Sequence, residues 1–241
     1  PLITILMPTY NSAAFISKAI NSVFASTYKN FELLIVDDGS NDNSYHIIKN
    51  YRDSRIIYLR KEHSGIAESL NYGITKSSGE WIARLDADDI MYSKRLEKQL
   101  RVVEVNPEVK LVGSDCNFIC KDGGLLYSYS YPTSHSDLLS NLLQCKPFFA
   151  HSSAFFSSKL VKQLGGYRSR LSHSEDWDMW LRISQAGLIQ SLPEPLVEIR
   201  IHKDQTSNFD SGLSQAIESR ISAISYYFRR NDNIDPVEFN L

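Results

Sequence analysis

Short apolar runs alternate with amphipathic stretches through the first hundred residues, and this alternation limits the fold more than any other property of the chain. Ile3–Met7 is a continuous apolar run stopped by Pro8. Phe31–Val36 is a second, ending in Asp37-Asp38-Gly39-Ser40; Arg55–Leu59 is a third, and Trp81–Leu85 a fourth. Runs of this length without alternation suit strands buried on both faces. Between them, Asn11 or Ser12 stands where it could cap a helix with Ile16, Ile20, Val23 and Phe24 on one face, and Asp42–Tyr51 and Gly65–Lys76 read as further helices. Strand and helix in alternation with short connections predict a parallel sheet with right-handed crossovers.

Parallel strands end on one edge. Tyr10 follows the first strand, Asp37 and Asp38 the second, and Asp86 and Asp88 the fourth, so the expected sheet gathers them on its carboxyl edge, where open α/β sheets bind ligands. The stretch Trp81-Ile82-Ala83-Arg84-Leu85-Asp86-Ala87-Asp88-Asp89 sets three carboxylates at one strand end. By itself such a tripeptide is equally a solvated acidic turn. Joined to the other strand ends, it suits a hard divalent cation that takes oxygen ligands and keeps positions open for phosphate oxygens. Neither G-x-G-x-x-G nor G-x-x-x-x-G-K-[ST] occurs, and Pro8-Thr9-Tyr10-Asn11-Ser12 follows the first strand instead. A bound diphosphate would therefore need its charge offset by a cation held on carboxylates.

The formal charge of −2 over 241 residues gives no general electrostatic reason to bind nucleic acid. Cys116, Cys120 and Cys145 lack C-x-x-C spacing and read as free thiols in a reducing compartment. No apolar run approaches a membrane span and no signal peptide leads the sequence, so the expected location is cytoplasmic.

In the second half, Ser93–Val105 reads as a helix, Lys110–Gly113 as a strand, and Asn117–Cys120 with Leu125–Tyr129 as a hairpin turning at Lys121-Asp122-Gly123-Gly124. Tyr127, Tyr129 and Tyr131 share one face, for cross-strand packing or for stacking on sugar rings. Ser134–Cys145 reads as a helix and Pro147–Phe156 as an apolar strand interrupted by His151 and Ser152. Ser174 is placed to cap a helix that opens on Glu175-Asp176-Trp177-Asp178, acidic residues that also complement a helix dipole. Leu196–Ile201 reads as a strand running into His202 and Lys203. Leu213, Ile217, Ile221, Ile224 and Phe228 fall at helical spacing, suited to docking on the parent domain; the basic, aromatic end of that helix also allows a peripheral membrane contact. The expectation is one domain in three parts, 1–115, 116–209 and 210–241, the last a terminal helix and tail.

Leu6-Met7-Pro8-Thr9-Tyr10-Asn11, Val36-Asp37-Asp38-Gly39-Ser40 and Leu85-Asp86-Ala87-Asp88-Asp89, with Gly65…Asn71…Gly79-Glu80 between them, resemble the signatures of family 2 glycosyltransferases in order and spacing. The resemblance runs to about His202, and it implies that 1–115 binds the nucleotide sugar and 116–209 lies on the acceptor side. It implies an α/β fold of GT-A type, a Rossmann-like and mostly parallel sheet flanked by helices with a small antiparallel element in the second half. It also implies an inverting enzyme that takes a nucleotide-diphosphate sugar, most often a UDP-sugar, together with Mn²⁺ or Mg²⁺. Pro8, Thr9, Tyr10, Asp38, Asp86 and Ala87 would then line the nucleotide, with Tyr10 against the base, Asp38 accepting a hydrogen bond from it and Asp86 on the ribose side. Asp88 would hold the metal, His202 would meet metal or diphosphate, and Lys203 would offset charge. His151 would lie near the acceptor pocket.

Direct displacement needs a base to take the acceptor's proton. The Glu175–Asp176 pair resembles the family's motif for it, with Asp176 as base and Glu175 placing the acceptor. Leu70 departs from the family, many of whose members carry Arg before the Asn. The Q-x-x-R-W sequence of processive members is absent, which points to addition of one sugar to a glycan or lipid-linked saccharide, as in bacterial surface polysaccharide synthesis. A sugar nucleotidyltransferase and a non-catalytic nucleotide-sugar-binding module stand as the alternatives.

Overall fold

The computed structural model describes residues 1–171, 173–202, 212–232, 235 and 237. Strands β1 (Ile3–Thr9), β2 (Phe31–Asp37), β3 (Ile56–Arg60) and β4 (Trp81–Arg84) lie parallel, in the order β3-β2-β1-β4. Helices α1 (Ile16–Phe24), α2 (Ser44–Lys49) and α3 (Ile66–Lys76) connect them. Beyond β4 the sheet continues through β8 (Phe155–Ser157), which is antiparallel, then β6 (Val109–Ile119), β9 (Leu188–Arg200) and β5 (Ile90–Met91), with β7 (Leu125–Tyr129) paired outside β6. The mostly parallel sheet with an antiparallel element in its second half is the architecture expected from the sequence.

Each face of the sheet carries a core. On one, Ile3, Ile5 and Met7 of β1 pack with Ile16, Ile20 and Val23 of α1 and with Leu96, Leu100 and Val103 of α4 (Arg95–Val105). On the other, Leu6 and Leu34 meet α3 through Ala67, Leu70 and Ile74. The same core takes in Leu138 and Leu142 of α5 (His135–Leu143), Val161 of α6 (Ser158–Gln163), and Met179 and Trp180 of α7 (Glu175–Ala186). Leu70 is therefore a core residue.

Several local expectations are corrected. Pro8 does not stop β1, which runs on through Thr9 opposite Asp37. Leu6 and Pro8 turn their backbone groups toward β4, and the Leu85 amide on the Leu6 carbonyl is the last bond on that side, so the missing proline N–H costs no ladder bond. Asn11 and Ser12 do not cap α1 with their side chains. Asn11, at φ 51°, accepts from the Asn41 amide, and the Ser12 hydroxyl is used by Thr9, which pins this loop to the one after β2. Lys110–Gly113 and Asn117–Cys120 are parts of one strand, β6, and Leu196–Ile201 is only the end of the longer β9. Pro193 and Pro195 sit in β9 where its register against β6 shifts. Pro147–Phe156 is not a strand: His151–Ser153 forms a 3₁₀ turn in which Ser153 donates to the Ala150 carbonyl, and pairing begins only at Phe155.

Helix α8 (Gly212–Asp232) docks on the rest of the chain as expected, but through a different face. Its inward side is built of Ser219, Ser222, Ala223 and Ser225, small residues along its contact with α7, together with the buried ring of Tyr226, while Leu213, Ile217, Ile221, Ile224 and Phe228 face outward.

Candidate functional site

The carboxyl ends of β1, β2 and β4 carry the residues singled out above, and the loops after them form two connected groups. The first surrounds Asp38, which is almost fully buried. Its Oδ1 accepts from Lys61 Nζ at 2.6 Å and from the Ser64 amide at 3.0 Å, and its Oδ2 from the Gly65 amide at 2.9 Å. Burial works against the charge, but these donors outweigh it, and the carboxyl sits below its ordinary range. Gly39, at φ 79°, lets this loop close down: a Cβ there would lie 2.9 Å from the His63 amide nitrogen. Tyr10 projects at the same edge with its ring on that of His63. The cation standing beside Asp38 is Lys61, on the loop before α3, whereas Leu70 is in the core.

The second group follows β4. Asp86, Asp88 and Asp89 each present an oxygen, all within 4.8 Å of one another. His202, just past the end of β9, places Nε2 2.8 Å from Asp88 Oδ2, joining residues far apart in sequence. Arg200 donates from its amide to Asp89 Oδ1 and from Nε to the Asp88 carbonyl, and Phe15 covers both the Arg200 guanidinium and the His202 ring. The segment Tyr10–Phe15 therefore spans from the first group to the second. Pro8, Thr9 and Ala87 line the bends: Thr9 accepts the Asp38 amide, and Ala87 is buried between the carboxylates. Lys203 lies outside the described residues.

Asp176 and Glu175, at the start of α7, approach from the second half of the chain. They meet Asp86 through the turn His151–Ser153, where Ser152 accepts from the Asp86 amide, and beside it lies Arg84, 2% exposed inside the sheet, whose Nη1 pairs with Asp86. Its charge also acts on Glu175, Asp176, Tyr167 and His151. Arg84 Nε has no hydrogen-bond partner. His151 Nε2 is 2.9 Å from the Tyr167 hydroxyl, and Nδ1 is 3.8 Å from Glu175 Oε1. Burial, with Arg84 adding to it, holds the imidazole well below its usual pKa, so it is neutral. Tyr167 is fixed from behind by Asn71, whose amide accepts from the Tyr167 N–H at 2.7 Å and donates to its carbonyl at 2.8 Å. Gly166, at φ 75°, makes room, since a Cβ there would fall 2.3 Å from Asn71 Oδ1. Ser174 makes no side-chain cap on α7. Of the two tryptophans of α7, Trp180 is fully buried and Trp177 donates to the Leu142 carbonyl.

The site holds more negative charge than its cations offset. Burial raises Asp86, and Asp88 and Asp176 add to it against the pull of Arg84; burial lifts Asp89 well above the usual range, with Asp86 and Asp88 next. Glu175 is pushed up to about 8 by burial and then by Asp176. Clustered oxygen ligands of raised proton affinity, with an imidazole beside one of them, fit a divalent cation.

Sequence reading missed Arg84, Lys61, His63, Tyr167 and Ser152, whose hydroxyl accepts from the Asp86 amide. Arg84 had a signal, a lone cation inside an apolar strand two residues before an aspartate. The others had none, because the loop after β3 meets Asp38, and the turn before β8 meets the acidic stretch, only in three dimensions.

Glu175 permits a stability prediction. A carboxyl whose pKa in the fold, about 8, exceeds its ordinary 4.5 costs stability as pH rises between those values, because the fold holds a proton that the unfolded chain releases. Glu175→Gln keeps the shape without the titration. In chelator, it is expected to raise the melting temperature by more at about pH 8.5 than at about pH 5. Equal shifts at the two pH values would contradict this.

The family model for Glycosyl transferase family 2 matches residues 4–165. An uncharacterized glycosyltransferase of Rickettsia typhi is 31% identical over 212 residues, covering 86% of this chain and 66% of that protein. This chain thus spans just under two thirds of that relative's length. Among solved structures, Staphylococcus aureus TarS 1-349 in complex with UDP-GlcNAc superposes with a TM-score of 0.74 at 17% identity, covering 96% of this chain and 74% of that one. The mannosyltransferase PcManGT of Pyrobaculum calidifontis, in complex with GDP-Man and Mn²⁺, gives 0.68 at 20% identity, with 94% and 64% covered. At these identities the likeness is one of fold, the GT-A type.

Proposed function

The chain belongs to glycosyl transferase family 2, and from that premise we propose that it is an inverting, non-processive glycosyltransferase. It moves a sugar from a nucleotide-diphosphate sugar, in the first instance a UDP-sugar, to a hydroxyl of a glycan or lipid-linked saccharide, as in bacterial surface polysaccharide synthesis. The observation that carries this reading is the meeting of two distant parts of the chain at the turn His151–Ser153: Ser152 accepts from the Asp86 amide after β4, and His151 beside it stands 3.8 Å from Glu175, next to Asp176 on α7.

On this reading Tyr10 lies against the base and Asp38 accepts a hydrogen bond from it, with Pro8, Thr9 and Ala87 lining the nucleotide and Asp86 on the ribose side. Asp88, with His202 beside it, would hold Mn²⁺ or Mg²⁺, and that cation supplies counter-charge to the departing diphosphate. Asp176 takes the proton of the acceptor hydroxyl as that oxygen attacks the anomeric carbon, in one in-line displacement. Glu175, held at about 8 by burial, keeps its proton and positions the acceptor by hydrogen bonding. Arg84 keeps Asp86 and Asp176 from repelling each other out of line. Among the described residues no helix is long and apolar enough to cross a membrane.

The test is to incubate the protein with UDP-, GDP- and dTDP-sugars and Mn²⁺ and assay nucleoside diphosphate. Release from one donor, dependent on Mn²⁺, is the expected result. Pyrophosphate exchange instead of release would make the protein a nucleotidyltransferase, and tight binding with no release a binding module.

A further inference from the structure

His63 lies at the nucleotide edge in an arrangement that the reading above does not use. Its ring stacks on Tyr10, with centroids 4.3 Å apart and planes at 26°. Its Nδ1 is 2.8 Å from Asp38 Oδ2 and 3.1 Å from the Asp38 carbonyl. Both neighbours are acceptors, so Nδ1 carries the hydrogen. An ionised carboxylate has about four lone-pair positions. Lys61 Nζ, the Ser64 amide and the Gly65 amide take three of those on Asp38, the Ser69 hydroxyl lies close as well, and His63 Nδ1 at 2.8 Å leaves no position open to a further donor.

A nucleobase that lies on Tyr10 and gives an N–H to Asp38 needs both of the things His63 has. A planar nitrogen heterocycle, stacked on the tyrosine and donating to the carboxylate, already stands in that place. The backbone of His63 is fixed, seated against Gly39, but its side chain is 57% exposed. Rotation about χ1 would carry the ring outward without moving the loop.

We propose that His63 gates the nucleobase slot, filling it in the free protein through Tyr10 and Asp38 and swinging out when the base of a donor enters. The proposal rests on the reading of Tyr10 and Asp38 as base contacts. Its consequence is a competition: apparent nucleotide affinity falls by the fraction of molecules whose slot is open. One hydrogen bond to a charged acceptor and one solvent-exposed ring contact are enough to keep the slot filled most of the time, so emptying it should tighten binding by about five- to tenfold.

The experiment is calorimetric titration of UDP, GDP and dTDP, each with Mn²⁺, into the wild-type chain, His63→Ala and His63→Phe. The nucleotide that binds the wild type best is expected to bind His63→Ala about five- to tenfold tighter, and His63→Phe by less, since phenylalanine keeps the ring contact and loses the N–H. Tyr10→Ala, which removes the platform, is expected to bind more weakly. Affinity of His63→Ala within about twofold of the wild type, or weaker, overturns the gate; the weaker result would make His63 a wall of the occupied slot. If none of the nucleotides binds any of the proteins, the proposed function falls and the gate falls with it. Binding to both proteins without a gain brings down the gate alone.

Discussion

Asp88→Asn is expected to cost about 10²–10³-fold in Mn²⁺-dependent turnover while leaving the unliganded protein as stable as before, or more stable. The two effects have opposite electrostatic origins. Asp88 adds negative charge to a place already crowded with it, and both Asp86 and Asp89 are raised in part by its presence. An amide of the same shape relieves that repulsion and can still bond His202 Nε2, which stands 2.8 Å from Asp88 Oδ2. What it cannot supply is the full negative charge that a hard cation seeks in its ligands. Two measurements check this: nucleoside diphosphate release from the preferred donor, and the melting temperature with and without Mn²⁺. The wild type should gain stability with Mn²⁺ through linkage, and the variant should lose that gain. A variant that keeps turnover within a few-fold, or keeps the full Mn²⁺ shift, would remove Asp88 from the role assigned to it.

The parts of the fold that were legible in the sequence are those where one local signal fixes the answer. Buried parallel strands need runs dominated by apolar residues, and β1, β2 and β4 carry them around single polar residues such as Thr4, Glu32 and Arg84, so the edge where they end could be inferred together with Tyr10, Asp38, Asp86 and Asp88. The second half lacks such runs. Strand β9 holds two prolines and shifts register around them, so its first part gave no strand pattern. In Pro147–Phe156 composition misled: Phe148, Phe149, Phe155 and Phe156 are buried as an apolar run should be, but a turn held by Ser153 separates them. Helix α8 has the reverse fault, since its apolar spacing is real and yet its small residues make the contact. For the site, spacing identified groups that bear the chemistry and missed those that arrange them. Asn71 stood out as part of a motif, but its two bonds to the Tyr167 backbone join segments 96 residues apart, which no local pattern encodes.

The largest loss should come from Asp176→Asn, about 10²–10⁴-fold in kcat, with the donor KM little changed. Glu175 and Asp176 are neighbours in the chain, the first buried and the second half-buried, and they are not equivalent. Burial, and after it the charge of Asp176, holds Glu175 at about 8, so Glu175 keeps its proton through neutrality. Only the ionised member can accept a proton from the acceptor hydroxyl. Burial also raises Asp176, against the pull of the Trp177 amide at 2.7 Å and of Arg84. The acid limb of the wild-type kcat profile should therefore lie above the ordinary aspartate value of about 3.9, and Asp176→Asn should have no such limb. Glu175→Gln keeps a neutral hydrogen-bonding group where a protonated one stood, so it should lose at least tenfold less in kcat than Asp176→Asn. Steady-state kinetics across pH on both variants, with donor affinity measured separately, distinguishes the two carboxyls. The assignment is lost if Glu175→Gln proves the more damaging, or if Asp176→Asn raises KM while kcat stands, because a base that acts only as the bond forms has to appear in kcat.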